Sequence, residues 1–326
     1  MKLKKRRAVF AGAIRNCVPF LANVLQNVSR LAALYEDAAF VFAENDSDDE
    51  TKSMLRSWLC RQSHGHLIEL DGLTATEPKR TQRIATPRNA YLDLILSGTY
   101  CDYDHLVIFD FDDANALPIS IEDFLASVNF LEENPAAAGV FANQATAYYD
   151  IYALRHAIWC PVDCWKQVAA RPRWMPMGIA EILYVRSRQF SIPAEAQPIQ
   201  VRSAFGGLGI YKMSKILDGR YEGLDTDGSE VCEHVAFNRQ ICDHGGELYI
   251  YPKLLNQSPS EHLFDPHRSG WRSRLVMEAI KLWQVIFPPW KRLHCRETLA
   301  RVRTHQYLAD QIICCFNGGA RRRPLD

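Results

Sequence analysis

The densest run of groups able to do chemistry is HLVIFDFDDANAL, residues 105–117, where Leu106 to Phe109 lead directly into Asp110, Asp112 and Asp113. Hard divalent cations such as Mg2+ and Mn2+ take carboxylate oxygens. Mg2+ in particular is held by one or two carboxylates while phosphate oxygens and water complete its shell. Two acids at i and i+2 past a strand reach one pocket if the chain turns there. One then ligates the cation, and the other holds it through water or hydrogen-bonds a ribose. A solvated, capped loop is the alternative for a lone Asp-x-Asp. The apolar run ahead of these acids reads as a buried strand, which carries them to the edge of a core rather than to an open loop.

Four further groups stand near turns. In FAENDSDDET, Glu44, Asn45 and Asp46 follow a strand and precede a helix; such residues cap helices, and one carboxylate at that place can also hold a base or ribose. In RIATPRNAYLD, Arg83, Arg88 and Asn89 lie on a helix leading toward the acidic strand. A guanidinium there pairs with a diphosphate or with the acids themselves. SAFGGLGIYK contains Gly206 and Gly207, which either make a turn or let the backbone approach a ligand. CEHVAF supplies Glu233 and His234, a carboxylate base and an imidazole at a helix start, and SEHLF supplies His262.

The elements that must position these groups alternate. RRAVFAGAI reads as a strand, followed by a helix with Phe20, Leu21, Val24, Leu25, Val28 and Leu31 at helical spacing; AAFVFAEND and GHLIELDG read as two more strands, and HLVIFDF as the fourth. The third helix is expected to start near Pro87. Alternation of this kind implies parallel pairing, a sheet covered on both faces, and ligands beyond the carboxyl ends of the strands. Asn16, Glu44, Asn45, Asp46 and the three aspartates all fall there. Farther on, AAGVFANQATAYYDIYALRH suggests strand, break, strand; residues 199–216 read as a strand interrupted by Gly206-Gly207; CEHVAFNRQICDHGG reads as a helix and ELYIYPKLL as a last strand. RLVMEAIKLWQVIF is amphipathic and belongs to a helical extension.

Composition sets outer limits. The chain has 326 residues, 48% hydrophobic, with 38 basic and 38 acidic side chains, so no general positive field points to nucleic acid. Basic runs at the two ends, KLKKRR and RRRP, are solvated tails or contacts with an anionic lipid surface. No apolar run reaches the roughly 18 to 20 residues of a membrane span, and a cytoplasmic protein with peripheral membrane contact is expected. Ten scattered cysteines, including Cys160, Cys164 and the adjacent Cys314 and Cys315, read as reduced thiols.

Taken in this order, the motifs of residues 7–257 resemble those of the GT-A glycosyltransferases, with Asp110-Phe111-Asp112 in place of the family's Asp-x-Asp motif. FGGLGIYK and CEHVAF resemble two elements of bacterial polysaccharide synthases, and the EH pair is similar to that of capsule-associated mannosyltransferases. The resemblance implies an α/β GT-A (Rossmann-like) fold, a mixed and mainly parallel sheet flanked by helices with a C-terminal helical extension. It divides the chain into residues 1–257, with a nucleotide-binding half (1–117) and an acceptor-binding half (118–257), and an extension over 258–326. It implies a metal-dependent hexosyltransferase of surface polysaccharide assembly, using Mn2+ or Mg2+, a UDP- or GDP-sugar donor and a glycan acceptor. By the same resemblance Asp110, Asp112 and either His234 or His262 hold the cation. Asn16, Glu44, Asn45, Asp46, Arg83, Arg88, Asn89, Asp110, Gly206 and Gly207 surround the donor, and Glu233 is the base if the reaction inverts configuration. His234 replaces the usual second acid of the Glu-Asp pair, which leaves open which group is the base. FDFDDAN also resembles the Asp-x-Asp of haloacid-dehalogenase-type phosphatases, and a non-catalytic sugar-binding module is a further alternative.

Overall fold

The computed structural model describes residues 3–216, 219–267 and 269–293. The RRRP end, Cys314, Cys315 and the expected extension from 294 onward lie outside the described residues. The first half runs β1 (Leu3–Ile14), α1 (Val18–Ala32), β2 (Tyr35–Glu44), α2 (Thr51–Leu59), β3 (Gly65–Glu69), α3 (Leu73–Thr76), α4 (Arg80–Leu96) and β4 (His105–Phe109). The second runs α5 (Ile121–Glu133), β5 (Ala137–Gln144), α6 (Cys164–Ala169), α7 (Met177–Tyr184), β6 (Ile199–Val201), β7 (Leu208–Lys212), α8 (Glu233–Asp243), β8 (Glu247–Asn256) and α9 (Trp271–Ile286).

All eight strands form one sheet in the order β3-β2-β1-β4-β7-β5-β8-β6, which continues across the expected boundary between residues 117 and 118. β1 to β4 are mutually parallel and β5 is parallel to β8, whereas β7 runs antiparallel to both β4 and β5, and β6 is antiparallel to β8. The mixed, mainly parallel sheet flanked by helices is thus the observed fold.

Strand periodicity of two explains how the sheet is buried on both sides. Val9, Ala11, Leu106 and Ile108 face one core with Tyr91, Leu92 and Ile95 of α4 and Phe237 of α8. Their neighbours Ala8, Phe10, Val107 and Phe109 face the other, with Leu21, Val24 and Val28 of α1 and Phe124 of α5. The α1 stripe predicted from sequence is buried at Leu21, Val24, Leu25, Val28 and Leu31, and Pro19 sits in its first turn, where no intrahelical N–H is lost.

Four readings of the sequence change. α4 starts at Arg80, not at Pro87, which lies inside the helix; Thr81 anchors the earlier turn through its N–H and hydroxyl, both donating to Glu230 at 3.2 Å. The described part of the KLKKRR run, from Leu3, belongs to β1, and its arginines are committed to ion pairs: Arg6 with Asp104 at 2.6 Å and with Glu132, Arg7 with Asp102 at 2.6 Å. Gly206-Gly207 does not interrupt one strand but separates edge strand β6 from β7 in the middle of the sheet. AYYDIYALRH, expected as a strand, is a loop, because the Asp150 carboxylate turns the chain by accepting from Ala153 N at 3.2 Å. The short helices α3, α6 and α7 had no clear periodic signal.

Candidate active site at the carboxyl end of the fourth strand

The antiparallel course of β7 brings the glycine pair to the acids. Leu208, the first residue of β7, pairs with Phe109, the last of β4. Gly207 O therefore accepts from Asp110 N at 2.8 Å. Gly206 and Gly207 have φ of +67° and +82°, a region that disfavours side chains. A Cβ at Gly206 would lie 2.7 Å from Ala142 O, and one at Gly207 would lie 3.3 Å from the Tyr149 hydroxyl. Gly206→Ala is expected to destabilise the fold by about 1–3 kcal/mol, read as a lower midpoint in urea unfolding; an unchanged midpoint would show that the loop is free to shift.

Buried amides fasten the turn. Asn115, fully buried, donates through Nδ2 to Asp110 O at 2.9 Å and to Gly207 O at 2.7 Å. Its Oδ1 accepts from Asn256 Nδ2 at 3.0 Å, which also donates to Gly206 O at 2.8 Å. Gln144 Nε2 donates to Asn256 Oδ1 at 2.9 Å. The ends of β4, β5 and β8 are tied to the glycine loop in this way. Every link but the one to Asp110 O is buried, so loss of those would leave unpaired polar groups.

Within this frame Asp112 accepts from Ala114 N at 3.0 Å and caps the turn 113–115. Burial, then the negative charge of Asp110, pushes its pKa up to about 7; Asp113 and Glu261 add to the effect, and the Ala114 N–H opposes it. A carboxyl so placed lacks positive charge at neutral pH. Asp110 has it from Arg88, whose Nη2 donates to Oδ1 at 2.8 Å. Arg88 Nε lies 3.0 Å from Glu233 Oε1, close as an ion pair but not aligned as a hydrogen bond. The guanidinium also lies over the rings of Phe205 and Tyr221, at 5.2 and 5.6 Å. Burial opposes its charge, but Tyr91, Asp110 and Glu233 outweigh that and raise its pKa well above the usual value. The acids, one of the two partners expected for Arg88, are in contact with it.

Asp150 joins the same acidic group and was not singled out from the sequence. Its Oδ2 accepts from Gly206 N at 2.9 Å. Burial pushes its pKa up to about 6; the Gly206 and Ala153 N–H groups pull it down, and the charges of Asp110 and Glu233 push it up. Tyr149 beside it stacks on His262, with centroids 5.5 Å apart and planes within 6°. The only sequence signal was an acid between aromatics in a segment without periodicity.

The remaining candidates are distributed as follows. His234 is buried, stacked on Phe205 at 3.9 Å, and neither ring nitrogen has a hydrogen-bond partner. Burial, with help from Arg88, lowers its pKa well below the usual value. The ring is neutral, so its 3.6 Å approach to Glu233 is not an ion pair. Asn89 fixes Tyr221 by a two-way bond, Nδ2 to Tyr221 O and Tyr221 N to Oδ1, both 2.9 Å. Arg83 donates to Glu77 O and Pro78 O, both at 2.8 Å, and braces the loop before α4. Glu44, fully buried, accepts from Ser47 N at 2.8 Å and faces Lys52 Nζ at 3.3 Å. Asp46 accepts from Gly72 N at 2.6 Å and Thr74 N at 2.7 Å. Asn16 Oδ1 accepts from Asp48 N at 3.0 Å, and Asn45 N donates to Ile14 O. These groups brace the loops past β1 and β2, and the N-cap of α2, Glu50, makes no side-chain cap hydrogen bond.

Among the described residues no three His, Cys, Asp or Glu side chains converge as a closed cation cage. His262 lies within electrostatic reach of Asp110, whereas His234 lies against Phe205 and Glu233. Hard oxygen donors with an undercompensated carboxyl at Asp112 suit a cation of the Mg2+ type, which draws the rest of its shell from phosphate and water. Next to Glu261, within electrostatic reach of Asp112, opens a cleft of about 920 Å3 lined by Glu181, Ile182, Arg186, Phe264 and Ser273 among others.

No family model and no curated protein matches the sequence. Among solved structures, the chain is similar to the mannosyltransferase PcManGT of Pyrobaculum calidifontis in complex with GDP-Man and Mn2+, with 16% identity, TM-score 0.45, covering 97% of this chain and 77% of that one. It is also similar to S. aureus TarS 1-349 in complex with UDP-GlcNAc, with 12% identity, TM-score 0.42, covering 96% and 73%.

Proposed function

We propose that the protein is a metal-dependent glycosyltransferase that moves a sugar from a nucleotide-diphosphate sugar to a hydroxyl acceptor. The observation that carries this reading is the Asp110-Phe111-Asp112 turn at the end of β4, with one acid balanced by Arg88 and the other left short of positive charge. A divalent cation bound by Asp112, with Asp110 beside it, would stabilise the charge that develops on a departing diphosphate. The sequence resemblance extends the reading to a UDP- or GDP-hexose donor and a surface-glycan acceptor.

In the transfer the bond from the anomeric carbon to the diphosphate oxygen breaks, with its electron pair going to that oxygen. The acceptor oxygen bonds the anomeric carbon and gives up its proton. In the inverting form of the reaction a carboxylate must take that proton. Glu233 is committed to Arg88 and only 7% of its side chain is exposed. Asp150, half-buried, with its pKa at about 6, is ionised at neutral pH and suited to the task. Asp150→Asn is expected to lower transfer about 100- to 10,000-fold while donor hydrolysis persists. The wild-type kcat/KM should rise with pH through about 6, and the variant should lose that limb. Transfer lost with hydrolysis kept in Glu233→Gln, and not in Asp150→Asn, would return the base to Glu233.

The phosphatase alternative requires Asp110 as a free nucleophile, and its Oδ1 is held by Arg88. The direct test of the proposal is binding and slow hydrolysis of a panel of nucleotide sugars with Mn2+, with and without chelator. Metal-dependent turnover lost in Asp110→Ala and Asp112→Ala is expected; no nucleotide-sugar binding in either metal state would sink the reading.

A further inference from the structure

α9 is apolar on two opposite faces. Met277 and Ile280 are buried against Ile182 and Phe264. At about 100° per residue, Trp271, Leu275, Leu282 and Ile286 form a stripe on the opposite side, and they are exposed by 67, 62, 62 and 58%. A helix that needs only one apolar face for its core gains nothing in water from a second. Exposed cations border the stripe, Arg272 on one side and Arg274 and Lys281 on the other. Glu278, the single acid on α9, is paired with Lys281 at 2.8 Å.

The start of α7 packs on the other side of α9, where a Cβ at Gly178 would lie 3.9 Å from Ser273 Oγ, and leaves the stripe uncovered. A tryptophan with aliphatic residues, rimmed by arginine and lysine, matches the boundary between lipid headgroups and acyl chains. Two copies of the chain meeting on this face would oppose the same cations, which disfavours a dimer. No described helix is long and apolar enough to cross a membrane.

We propose that the outer face of α9 docks the protein on an anionic lipid bilayer, the helix lying flat in the surface. The proposal is independent of the catalytic reading. It also places the membrane contact on a helix, whereas Arg6 and Arg7 of the N-terminal basic run are paired with acids.

The test is flotation of the full chain with vesicles of phosphatidylcholine and phosphatidylglycerol, compared with phosphatidylcholine alone. Wild type is expected to float with the anionic vesicles and to be released by salt. Arg272→Gln, Arg274→Gln and Lys281→Gln together should weaken that binding about 100-fold. Leu275→Ser, Leu282→Ser and Ile286→Ser together should abolish it, with an unchanged circular dichroism spectrum, since all three side chains are exposed. The inference is overturned if wild type does not float, if both variants float as wild type does, or if wild type is a lipid-free dimer that the serine variant dissociates.

Discussion

Asp112→Asn is expected to lower sugar transfer about a thousandfold and, without metal, to make the protein more stable at pH 8. Both effects follow from the same charge. The amide oxygen can still accept from Ala114 N, as Asp112 Oδ1 does at 3.0 Å, so the turn is kept. What disappears is a carboxyl whose folded pKa, about 7, lies above the unfolded value of roughly 4. Between those values the folded chain binds more protons than the unfolded one, so stability falls as pH rises through that window. The deficit is complete above about 7. The variant should therefore melt above wild type at pH 8, by a few kcal/mol of stability at most, and together with it at pH 4. Mn2+ should raise the wild-type midpoint at pH 8 and leave Asp112→Asn unmoved. Equal stabilisation of both proteins by Mn2+, or full transfer by the variant, would remove Asp112 from the cation site.

How much of this was legible in the sequence depends on the range of the interaction. β4 and its acids were readable because LVIF and the carboxylates are neighbours in the chain. α1 was readable because its stripe repeats every three to four residues. Arg88 could be assigned to a phosphate or to the acids, and its contact with the acids emerges only from the approach of α4 to the end of β4 and the start of α8. Asp150 could not be foreseen. Its partner Gly206 lies 56 positions away, and the loop that carries it has no period. The same holds for Asn115, Gln144 and Asn256, single amides at three strand ends, whose common task appears only when β7 is inserted between β4 and β5. Insertion of an antiparallel strand into a parallel sheet leaves no periodic mark, because β7 is buried on both faces like its neighbours.

Arg88→Met is expected to destabilise the fold by about 3–5 kcal/mol at pH 8, the largest loss of any single substitution at the site. Arg88 is 4% exposed, and its guanidinium is the cation between Asp110 and Glu233, with Asp150 in the same field. Methionine preserves most of the volume and the contact with Phe205 and Tyr221, so the loss reports charge rather than packing. The carboxylates left behind must then be buried without compensation or take up protons. Hence the gap between variant and wild type should narrow at pH 5, where proton uptake is easier. Glu233→Gln in the Arg88→Met background should recover part of the loss, because it removes one of the stranded charges. Arg88→Lys should recover less than the charge alone would suggest, since one ammonium cannot reproduce contacts made by Nη2 on one acid and Nε on another. Chemical denaturation at the two pH values measures each difference. A full-strength fold in Arg88→Met at pH 8 would mean that the arginine is held in reserve for the diphosphate, and that Asp110 and Glu233 do not depend on it.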